Sequence, residues 1–180
     1  MTSGARWAAL FADLEAQLDA AAAAERDGTV AELTRAEQAS VPLADRLRAA
    51  LGRPVRVELR DGDVVDGRLA HVADAWFQVD ARTSPHGVQH LVPTSAVASL
   101  AGIGPQARPS TSRTDGLGLG TALRALQRDR ARVLVRTTAG TLVGRIDRVG
   151  QDHLDLTTAD GAPGTARLVP FAALLRVSEG

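Results

Sequence analysis

The densest run of chemistry in this sequence is cationic: Arg124, Arg128, Arg130 and Arg132 fall within nine residues, and Arg136 follows on the next segment. Guanidinium groups keep their charge at every physiological pH and present a planar fork of donors that matches phosphate oxygens. Residues 101–180 hold eleven Arg against seven acids, whereas residues 1–50 hold five against eight, so the charge is divided along the chain. Two readings follow. The Arg-bearing face contacts phosphates of single-stranded RNA, or it is a solvated face that pairs with the acidic N-terminal segment of the same or another chain. Trp76 and Phe171 are the aromatic side chains placed to add base stacking.

Other reactive constellations are absent from the pattern. His86 and His90 are four apart, but one falls in a loop and the other on a strand, and His71 is tied to neither by spacing. Three histidines without cysteine make a poor metal set. Asp61, Asp63 and Asp66 read as turn acids, because the twelve-residue order of a calcium loop is missing. No Ser or Thr stands with a His and an acid in a nucleophile setting. Gly116-Leu117-Gly118-Leu119-Gly120 lacks the preceding strand and the following Lys or acid of a nucleotide loop. The expectation is a protein without catalysis, cofactor or metal.

All 21 basic residues are Arg, and 21 acids balance them, so no net field draws the chain to an anionic surface. The lack of Cys excludes disulfides and thiolate metal sites and suits a reducing cytoplasm. Met1 to Leu10 lacks a signal-peptide layout, and no apolar run approaches the length of a membrane span.

The elements that must carry these residues come in two copies. His90-Leu91-Val92-Pro93-Thr94-Ser95-Ala96-Val97 is answered 77 residues later by Arg167-Leu168-Val169-Pro170-Phe171-Ala172-Ala173-Leu174, and Gly67-Arg68-Leu69 by Gly144-Arg145-Ile146. Upstream the match slips to 76, with Leu47-Arg48-Ala49 against Leu123-Arg124-Ala125 and Val57 against Val133. Period-2 alternation predicts five short strands in each copy after a short helix: near 55–60, 64–72, 76–80, 88–92 and 97–100, then 132–137, 142–149, 153–158, 166–169 and 174–177. Phe77 is expected in the core. Trp76 would then either face outward, free to stack a base or fill a partner's groove, or lie partly covered between the repeats. Ahead of the repeats, Trp7, Leu10, Phe11, Leu14 and Leu18 recur at helical spacing, and Thr29 to Glu32 has capping-box form.

The helix, the five strands, Gly67 in the second strand and Leu91 to Leu100 across the last two resemble the Sm-like fold, most closely its bacterial Hfq type. The resemblance covers Pro42 to Leu100 and Thr121 to Val177. It implies an α+β chain: an N-terminal α-helical hairpin (1–41), a first five-stranded antiparallel Sm-like (SH3-like) β-barrel (42–100), a flexible linker (101–120) and a second such barrel (121–180). It also implies rings built by pairing the fourth strand of one unit with the fifth of the next, with single-stranded RNA on the ring faces. The family reads RNA with an aromatic-Lys-His segment. Here Pro93, Thr94 and Ser95, then Pro170, Phe171 and Ala172, take those positions, and Phe171 is the one aromatic among them.

The expected function is therefore a non-catalytic homo-oligomer in the cytoplasm, binding single-stranded RNA through Arg124, Arg128, Arg130, Arg132 and Arg136 with Trp76 and Phe171. The competing class is an adaptor that recruits a protein partner through a coiled coil of the N-terminal helices and through Trp76.

Overall fold

Val55, Val57 and Leu59 alternate with charged residues, and the backbone follows that alternation: β1 (Pro54–Leu59) buries every second side chain. The computed structural model describes residues 15–17, 25, 38–81, 87–158 and 166–179. Pro42–Gly180 form one compact unit, and Met1–Val41 another. Of the second, residues 15–17, 25 and 38–41 are described, and all of them but Val41 are helical. The hairpin expected over 1–41 otherwise lies outside the described residues.

In the larger unit α1 (Leu43–Ala49) precedes β1, β2 (Val64–Val72), β3 (Trp76–Ala81), β4 (Gln89–Pro93) and β5 (Val97–Ala101). After the segment 102–118 come α2 (Leu119–Arg128), β6 (Arg132–Thr137), β7 (Gly140–Val149), β8 (His153–Thr158), β9 (Ala166–Pro170) and β10 (Leu174–Glu179). Thr94–Ala96 and Phe171–Ala173 are matching 3-10 turns.

The expectation of two five-stranded barrels behind a helical hairpin is overturned. The ten strands form one antiparallel sheet in the order β5-β1-β2-β3-β4-β10-β6-β7-β8-β9. Neither set of five closes on itself. Among the described residues β5 pairs with β1 alone, and the free edge of β4 is taken by β10 of the other repeat, with Leu91 opposite Val177 and His90 opposite Ser178. An open strand edge is satisfied by any chain of suitable alternation. In/out periodicity states which face is buried and leaves the neighbour open, so periodicity alone did not show this join.

Each half nevertheless keeps its own core. Leu47, Val57, Leu59, Leu69, Phe77, Val79 and Val92 pack in the first, and Leu123, Val133, Val135, Leu154, Leu156 and Leu174 in the second. β10 serves both, because Leu175 enters the first core and Val177 the second. Gly67 and Gly144 occupy equivalent places where a Cβ would collide with the carbonyl of Asp80 or Thr157.

Strand register corrects the sequence alignment. Val55 lies opposite Gly67 and Val133 opposite Gly144, so β1 and β6 correspond at 78 residues rather than 76. A slip of two preserves the alternation and is invisible to it. The β1–β2 turn is closed by the Leu59 amide donating to the Asp63 carbonyl, with three residues between, while Thr137 faces Gly140 across two.

Candidate nucleic-acid interface

Leu47 and Leu123 are both fully buried and anchor their helices at the same depth. From Leu47 to Val55 is eight residues, but from Leu123 to Val133 is ten. The second repeat thus carries two extra residues between helix and strand, in the stretch Gln127-Arg128-Asp129-Arg130-Ala131. The chain enters β6 through Arg130 at φ 49°, a left-handed conformation that non-glycine residues rarely take.

This longer connection builds one wall of a basic groove. Arg124, Gln127 and Arg128 of α2, Arg130 of the turn, and Arg145, Ile146 and Asp147 of β7 enclose about 690 Å³. Gln127 donates from Nε2 to the Asp147 carbonyl at 2.7 Å, and Arg124 donates to the Gly150 carbonyl at 3.3 Å, which pins the helix to β7. The Asp147 carboxylate accepts from the Thr157 hydroxyl. Four guanidinium groups against one carboxylate leave the groove strongly cationic. Among the described residues none of Arg124, Arg128, Arg130, Arg132 and Arg145 is ion-paired. Arg132 lines an adjoining groove of about 400 Å³ that shares Arg145 and Asp147 with the first.

The remaining expected site residues sit elsewhere. Arg136 donates from Nε to Asp61 Oδ2 at 2.7 Å and ties the β1–β2 turn to the second repeat. Asp61 feels burial, which raises its pKa, but the Arg136 bond and charge and the Asp63 amide outweigh it and hold the carboxyl below the ordinary range. Arg176 approaches Asp63 at 3.3 Å beside this pair. Trp76 does not face outward: it is 7% exposed, stacks at a tilt 5.1 Å from His71, and donates from Nε1 to the Leu117 carbonyl at 2.9 Å. Two successive residues of β3 are buried because the segment before α2 covers the second face. Phe171 starts a 3-10 turn against the second core, its amide donating to the Asp152 carbonyl at 2.7 Å.

Arg145 was missed by sequence reasoning. It reads as an ordinary outward position of a strand, and only the packing of α2 over β7 brings it to the cluster. The two residues by which the second helix-to-strand connection exceeds the first were the available signal, masked by the two-residue slip.

Among the described residues no three His, Cys, Asp or Glu converge as a metal site, and no described helix is long and apolar enough to cross a membrane. Compared with known proteins, the sequence matches no family model and no curated protein.

Proposed function

We propose that this protein is non-catalytic and binds single-stranded RNA by its phosphates, in the groove of Arg124, Arg128, Arg130 and Arg145. One observation carries the reading: four exposed guanidinium groups converge on a concave surface with a single acid. Stable proteins disperse or pair such charge, and convergence without pairing suits an anionic ligand. The equivalent position in the first repeat strengthens the case, since Arg48 is sequestered by three carboxylates and unable to serve. Binding should weaken with salt at a log-log slope of roughly −0.7 for each phosphate contacted, hence roughly −3 for four. Arg128→Ala with Arg130→Ala should reduce that slope by about half. Retention of full affinity by the double variant defeats the proposal.

A homo-oligomer in the cytoplasm belongs to the same proposal. β5 and β9 are the outer edges of the described sheet, and Leu168 on β9 is 62% exposed. A second copy pairing its β5 with β9 would repeat the join that β4 makes with β10. The strand order repeated in each half and this fourth-to-fifth pairing also support kinship with the Sm-like family, as an open sheet. Absolute mass from light scattering tests assembly, and a monomer at micromolar concentration rejects it.

A further inference from the structure

The side of α2 opposite its arginines also borders a pocket. Ala122 and Leu126 project away from Arg124 and Arg128 by the helical period, and face the seam between the repeats. There, with Trp76, Gln78, Gln89 and Glu179, they line a pocket of about 210 Å³. The indole is held by its bond to the Leu117 carbonyl, so this wall is set before any ligand arrives.

We propose that the pocket takes one pyrimidine base of a bound strand and that Glu179 makes it favour cytosine. The inference rests on the RNA reading above. Volume supports the ring size, since a cavity of about 150 Å³ already holds benzene, leaving room here for one substituted six-membered ring. Polar chemistry supports a base over a hydrocarbon. Gln78 spends one amide hydrogen on Asp80 Oδ1 at 3.1 Å, and its Oε1 remains an acceptor chemically; Gln89 brings a second donor and acceptor. The Glu179 carboxylate only accepts, so it suits the N4 amino group of cytosine and opposes the O4 carbonyl of uracil. Trp76 supplies an aromatic wall. A strand whose phosphates lie in the Arg groove need cross only the width of α2, about 10 Å, to place a base here.

The test uses full-length protein carrying Trp7→Phe, which leaves Trp76 as the sole tryptophan. Six-nucleotide oligo-C, oligo-U and oligo-A are titrated at low salt while indole fluorescence and affinity are followed. Oligo-C should alter Trp76 emission and bind about tenfold more tightly than oligo-U. Glu179→Gln should erase that preference. Equal affinity for all three oligomers, or a preference for uridine, overturns the base pocket and leaves the Arg groove standing. Absence of binding to every oligomer removes the RNA reading and the pocket together.

Discussion

Arg48 and Arg124 hold the same position in the two helices, yet the first is 4% exposed among Asp45, Asp74 and Asp115, while the second is exposed and donates to the Gly150 carbonyl. The matching places hold no acid, since Thr121 and Gln151 stand where the first repeat has Asp45 and Asp74. Asp115 reaches Arg48 from the segment before α2, whose backbone also pairs with that of Asp74.

The two arginines should therefore fail differently when replaced. Arg48→Met removes the buried cation that draws Asp45, Asp74 and Asp115 together and should cost about 1–3 kcal/mol in urea unfolding. Arg124→Met should stay within about 0.5 kcal/mol of the parent in stability while lowering RNA affinity. Equal stability losses would show that the repeats use this position alike.

Gly67 and Gly144 are predicted to be irreplaceable for one reason in both repeats. Alanine at either place drives a Cβ into a carbonyl of the neighbouring strand. Gly67→Ala and Gly144→Ala should each destabilise by about 1–3 kcal/mol, read as a lowered denaturant midpoint with an unchanged slope.

Arg130 sets stability against binding. Its φ of 49° is unfavourable for a side-chain-bearing residue. Arg130→Gly should therefore raise stability by up to about 1 kcal/mol while weakening oligonucleotide binding. A variant that loses both would mean that Arg130 also anchors the turn.

Acid should loosen the seam between repeats in two stages. His90, whose Nδ1 lies 2.9 Å from Ser178 Oγ across the β4–β10 join, has its pKa lowered by burial and by Arg176, against Asp63. A folded-state value below the unfolded one means that its contribution is complete above about pH 6.5 and is lost as pH falls through the folded value. Asp61, also lowered, contributes fully above about pH 4 and fails below it, as Arg136 loses its carboxylate partner. Unfolding free energy measured from pH 8 to pH 3 should fall in both windows. His90→Asn should flatten the upper one and Asp61→Asn the lower.

The sequence by itself determined the strands, their buried faces and their recurrence, because Val55, Val57 and Leu59, like Leu154 and Leu156, encode in/out position locally through a period of two. It also held the Arg run from 124 to 132. Tertiary structure decided the rest. The pairing of β4 with β10 joins strands some 85 residues apart whose alternation would accept other neighbours. Trp76 was buried by Leu117, 41 residues away, and Arg48 was neutralised by Asp74, 26 residues away. Whether an edge is filled, an indole covered or a charge left free depends on which distant groups arrive within a few ångströms, and local periodicity carries no record of that.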